Sequence, residues 1–121
     1  ALANLIERGI LSGKAIMEPL RTYTAPVVAS GADTAIFGCT HFPFIQPLFE
    51  ALCGDGLAFV DPAHEMALQT LEVLKRDDLL NHNPAPGYLR LCFTAEPERG
   101  SHLAEHLIPA NEFSSETISL V

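Results

Sequence analysis

Residues 33–43 read Asp33-Thr34-Ala35-Ile36-Phe37-Gly38-Cys39-Thr40-His41-Phe42-Pro43, DTAIFGCTHFP. The apolar run DTAIF reads as a short strand, and Gly38 ends it. Pro43 suits the first turn of a helix over 43–53, PFIQPLFEALC. A turn at GDG (54–56) then leads to LAFV (57–60), a second buried strand closed by Asp61-Pro62.

The same alternation continues in both directions. Upstream, Ile16, Leu20, Tyr23 and Val27 lie near helical spacing within 12–30. Ser12 is the expected N-cap and Gly31 the stop. Pro19 and Pro26 fall inside that pattern and predict a kink or a break. Downstream, a helix is expected over roughly 62–80, with Met66, Leu68, Leu71, Leu74 and Leu79 on or near one face. The turn-rich NHNPAPG (81–87) precedes a strand at 88–94, a helix at 98–107 and a last strand, ETISLV, at 116–121. Strand and helix alternate throughout, so the predicted class is α/β, a mainly parallel sheet flanked by helices. Ligands of such sheets bind beyond the carboxyl ends of strands, where Gly38–His41 and Asp61 both fall.

Composition narrows the function. The chain has 121 residues, enough for one domain with its own core. Seven basic and fifteen acidic side chains give a net charge of −8, so no basic stripe exists for nucleic acid or an anionic membrane. No apolar run approaches the ~20 residues that cross a bilayer. The three cysteines, Cys39, Cys53 and Cys92, form no CxxC pair and suggest a reducing, cytoplasmic setting. The opening ALANLIERG carries no signal sequence and no initiator Met, which suggests a piece of a longer protein.

Cys39 has the position of a reactive thiol. Free N–H groups of the following helix, and a protonated His41, would favour its thiolate, which can act as nucleophile or base. Thr40 can donate to a carboxylate, and Gly38 lets a ligand approach the backbone. The competing reading is a small core thiol, the common fate of free cysteine and the one expected for Cys53 and Cys92. A metal site at Cys39-x-His41 would need His64, His82, His102 or His106, and none is spaced as in a finger. His102 and His106 share a helix face, but HLAEH lacks the Glu that a zincin motif places after its first His. They read as solvated surface residues, and no metal is expected.

GADTAIFGCTHFPFIQPL closely resembles the second catalytic cysteine motif of glutamate racemases, in the aspartate/glutamate racemase superfamily. LANLIERG (2–9), FVDPA (59–63) and LCFTAEP (91–97) are similar to flanking segments of the same family. The resemblance implies racemisation of glutamate, without cofactor, by two cysteines on opposite faces of the α-carbon. Cys39 would be one acid/base, His41 and Glu7 its catalytic support, and Thr40 and Gly38 the substrate-binding residues. Asp61 is expected to cap the next helix. The family's Asp-Ser-Gly and Cys-Asn-Thr segments do not occur here. Residues 1–121 therefore resemble a C-terminal portion with the N-terminal half absent, inactive alone. The implied role is supply of D-glutamate for peptidoglycan; the partner is a small amino-acid substrate, with a homodimer one arrangement allowed. The alternatives are a racemase of aspartate or another amino acid, a non-catalytic racemase-like binding module, and, more remotely, a Cys–His hydrolase.

Overall fold

The computed structural model of the protein describes residues 2–120; Ala1 and Val121, the last residue of the predicted strand 116–121, lie outside them. The stretch quoted above forms β1 (Thr34–Ile36), a 3₁₀ turn (Phe42–Ile45) and α3 (Gln46–Cys53), followed by β2 (Ala58–Val60). β1 and β2 are parallel, in the register Thr34↔Ala58, Ala35↔Phe59 and Ile36↔Val60. Strand alternation turns Ala35 and Phe59 inward and leaves Thr34, Ile36, Ala58 and Val60 exposed.

The inward face packs on α1 (Leu2–Glu7), α2 (Lys14–Ala29) and α3. Leu2, Ile6, Ile16, Leu20, Phe37, Ile45 and Phe49 make one buried cluster. Phe37 is its hub, with ring centroids 5.3 Å from both Phe49 and Phe59. Because Phe37 is the residue before Gly38, burying its ring fixes where the chain leaves the core and where Cys39 emerges.

α2 runs unbroken through Pro19 and Pro26, against the expected kink. Each proline leaves the carbonyl four residues back without its donor. Those carbonyls belong to Ala15 and Thr22, both exposed, so water can serve them. Meanwhile Ile16, Leu20 and Thr24 hold the helix to the core. Tyr23 and Val27, expected on the buried face, are 53% and 37% exposed. Ser12 does not cap: Gly13, at φ 83°, makes the entry turn and puts the hydroxyl one residue too early. The far end stops as predicted, with Gly31 at φ 74° and its N–H donating to Val28 O.

A second strand–helix–strand unit follows α4 (Ala63–Arg76): β3 (Leu89–Phe93), α5 (Pro97–Ala104) and β4 (Phe113–Thr117). β3 and β4 are also parallel, Leu89 opposite Phe113 through Phe93 opposite Thr117. The last strand thus lies three residues earlier than 116–121, because this register puts Phe113 on the inner side. Leu91 and Phe93 point inward in β3, so Cys92 alternates outward beside Glu116 and is not a core thiol. α5 sits close on β3 because residue 100 is glycine; a Cβ there would overlap the Phe93 ring.

The strands are parallel as expected, but among the described residues they form two separate two-stranded sheets. α4 is shorter than predicted and buries none of its residues; Leu79, 65% exposed, falls beyond its end.

Candidate active site

β1 delivers the site. Pairing extends one step past it, with Phe37 N–H donating to Val60 O, and the chain then turns sharply. Phe42 N–H closes the turn onto Cys39 O at 3.2 Å, and Phe44 N–H onto His41 O at 3.2 Å. These bonds make the 3₁₀ turn that replaces the expected start of the helix. α3 begins only at Gln46, so the helix N-terminus is not at Cys39 and its dipole is not the main influence there.

The local influence is His41. Its Nδ1 lies 3.6 Å from Cys39 Sγ, and its Nε2 lies 3.1 Å from Glu7 Oε1. Glu7 comes from the end of α1, thirty-four residues earlier in the chain. Three side chains therefore form a line: thiol, imidazole, carboxylate. With the ring singly protonated on Nε2, that N–H donates to Glu7 and Nδ1 accepts from the thiol. With both nitrogens protonated, Nδ1–H donates to the thiolate while Nε2–H stays on Glu7. In either state the carboxylate keeps the ring aimed at sulfur.

Two clefts meet at this line. Cys39 opens on one of about 720 Å³, together with Gly38, Thr40, Asp61, Met66 and Leu107. Gly38 packs against nothing on the side where a Cβ would project, so its backbone lies open. Asp61 Oδ1 accepts from Ala63 N–H at the start of α4, the capping expected of it. His41 and Glu7 open on the other cleft, with Glu96, Arg99 and Leu103 from the region of α5. Arg99 pairs with Glu96 at 2.6 Å.

Sequence reasoning missed the residues that wall these clefts. Met66 could have been found, since it lies one turn into the helix that follows a strand tip. Leu107, Glu96 and Arg99 carry no local signal, because tertiary packing alone brings α5 beside α1.

Neither remaining thiol joins Cys39 in its cleft. Cys53, half-buried, lines an apolar groove with Tyr23, Phe49 and Leu57, and burial pushes its thiol pKa up. Cys92 is exposed on β3. His102 and His106 are exposed, with rings 5.7 Å apart edge to face, and His106 Nδ1 lies 3.1 Å from His102 O.

No family model matches the chain. Among curated proteins it is 35% identical over 103 residues to the glutamate racemase of Symbiobacterium thermophilum, covering 85% of this chain and 37% of that one. It is 40% identical over 97 residues to the glutamate racemase of Pseudomonas putida strain KT2440, covering 80% and 36%. Among solved structures, glutamate racemase isoform RacE1 from Bacillus anthracis superposes with a TM-score of 0.83 at 23% identity, covering 98% of this chain and 44% of that one. The Francisella tularensis glutamate racemase, solved with D-glutamate, gives 0.78 at 22% identity, covering 99% and 43%. The chain is thus similar in sequence and fold to glutamate racemases and spans about two-fifths of the length of the relatives it matches.

Proposed function

We propose that Cys39 is one of two acid/base thiols that racemise glutamate without a cofactor. The observation that carries this reading is the Cys39–His41–Glu7 line at the tip of β1. His41 can take the proton from the thiol, leaving Cys39 as a thiolate facing the larger cleft. That thiolate removes the α-proton of a bound amino acid and becomes a thiol. A second thiol, on the opposite face of the resulting carbanion, delivers a proton and becomes the thiolate. Reversing the two protonation states runs the reaction backward. Thr40 and the open backbone at Gly38 supply neutral donors for a substrate carboxylate.

Neither Cys53 nor Cys92 can be that second thiol, since each faces a different surface from Cys39. The second base belongs to the part of the racemase length that this chain does not span. The isolated chain is accordingly expected to be inactive. D-Glutamate for bacterial peptidoglycan is the role this reading assigns to the whole protein.

The test follows solvent deuterium entering the α-carbon of L- and D-glutamate, with aspartate and other amino acids as a comparison panel. The chain is assayed within its complete reading frame, or co-expressed with the complementary portion of the Pseudomonas putida relative. Cys39→Ser should lower exchange by about 10²–10⁴-fold, the usual weight of a positioned acid/base group. Exchange unchanged by that substitution would refute the two-thiol reading, and preference for another amino acid would correct the substrate.

A further inference from the structure

The cleft beside Cys39 is short of charge. Asp61 is the only Asp, Glu, Lys, Arg or His among the described residues that line it; Thr40, Phe44, Met66 and Leu107 supply much of the rest. The sheet puts Asp61 there. Phe37 N–H donates to Val60 O, so Gly38 and Asp61 are the next residues on two paired strands, and both leave at the same tip. Asp61 is half-buried, and its Oδ1 accepts from Ala63 N–H at 3.0 Å. That bond needs one acceptor, and a carboxylate has two. Among the described residues no other hydrogen bond or ion pair reaches Asp61, so Oδ2 is free to accept.

An amino acid enters such a cleft as a zwitterion, and its ammonium group needs an acceptor. The other groups near the site are already engaged. Glu7 lies 3.1 Å from His41 Nε2, Glu96 pairs with Arg99, and both open on the other cleft. His41 has no nitrogen to spare, with Nδ1 on Cys39 Sγ and Nε2 on Glu7. Cys39 has to aim its sulfur at the α-hydrogen. That leaves Asp61. The need is chemical as well as geometric: an amine held protonated keeps a positive charge one bond from Cα, where it stabilises the carbanion as it forms. With no cofactor to take up the electrons, the substrate's own ammonium group supplies that help.

We propose that the free oxygen of Asp61 binds the α-ammonium group of the substrate, while Thr40 and the Gly38 backbone take its carboxylate. Asp61 is then helix cap and substrate-binding residue together, one oxygen for each. Two anchors on Cα, of opposite charge, leave its hydrogen facing the thiolate. A site built this way selects α-amino acids over α-hydroxy acids of the same shape. The inference rests on the racemase reading of Cys39 and adds the group that orients the substrate against it.

Asp61→Asn separates the two roles. Asparagine caps as well as aspartate, yet it turns an amide N–H₂ toward the cleft where the free oxygen stood. In the complete reading frame the variant should keep the thermal midpoint of wild type. Its kcat/KM for deuterium exchange on glutamate should fall by about 10- to 100-fold, the weight of a hydrogen bond between charged groups. 2-Hydroxyglutarate, with a hydroxyl in place of the ammonium group, should inhibit wild type and variant almost equally. Every amino acid of the comparison panel carries the ammonium group, so the test holds for whichever is turned over fastest, with its own hydroxy analogue. Exchange unchanged by Asp61→Asn but abolished by Cys39→Ser would overturn the inference and leave the racemase reading standing. An equal loss for the amino acid and the hydroxy acid would also overturn it, since that reports a distorted cleft and not a missing charge. Exchange that survives Cys39→Ser would refute the racemase reading and this inference with it.

Discussion

Glu7 stands in LANLIERG, one of the segments that carry the family resemblance, and it lies within 3.1 Å of His41 Nε2. Its side chain is 43% exposed, so Coulomb attraction across the pair is screened by water. Orientation is the larger effect: a carboxylate accepting from Nε2–H fixes which nitrogen faces sulfur. Glu7→Gln should therefore lower glutamate exchange in the reconstituted enzyme by about 10- to 100-fold, as when the outer partner of a functional imidazole is lost. Substrate KM should move little, so the loss should fall on kcat. An unchanged kcat would reduce Glu7 to a surface charge. At this scale the sequence was most informative where one tripeptide, Cys39-Thr40-His41, carries the chemistry. It said nothing of Arg99 or Leu107, whose neighbours are remote in the chain.

The elements were legible wherever glycine, proline or strand alternation marks them. Gly31 ended α2, and LAFV and YLRLCFT gave strands within a residue of their observed bounds. Ser12 misled because a capping hydroxyl is recognised by residue type, whereas Gly13's positive φ decided where α2 begins. The helix after Cys39 began late for a related reason: Pro43 fits a 3₁₀ turn as well as an α-turn. Gly100 is a case where packing sets the residue. Its closeness to the Phe93 ring lets α5 lie on β3, so Gly100→Ala should cost about 1–3 kcal/mol by overpacking, despite alanine's better helix propensity. Thermal unfolding followed by circular dichroism should show a drop of several degrees; a raised midpoint would mean the ring yields freely.

Across the whole molecule the predicted α/β class with parallel strands holds, and among the described residues the strands are set in two pairs. Strand direction is set by the alternation of helix and strand, which a sequence displays. Which strands adjoin is set by tertiary packing, and no local pattern contains that. With one buried cluster centred on Phe37, little reserve remains. Phe37→Ala should cost about 3–5 kcal/mol, a large share of the roughly 5–15 kcal/mol that stabilises a domain, and lower the thermal midpoint of the isolated chain by about 10 °C or more. An unmoved midpoint, by far-ultraviolet circular dichroism, would show that the cluster is not the foundation of the fold.

The thiol and the imidazole open on different clefts, with the 3.6 Å contact joining them. On the racemase reading this gives the hydrogen a back door. A proton lifted from the substrate can leave through the ring to water behind it while the amino acid still fills the front. Isotope abstracted from the α-carbon is then diluted into solvent during a single visit rather than handed back. Cys39 is thereby a thiolate again before the product leaves, while the second thiol, having given up its proton, must still regain one.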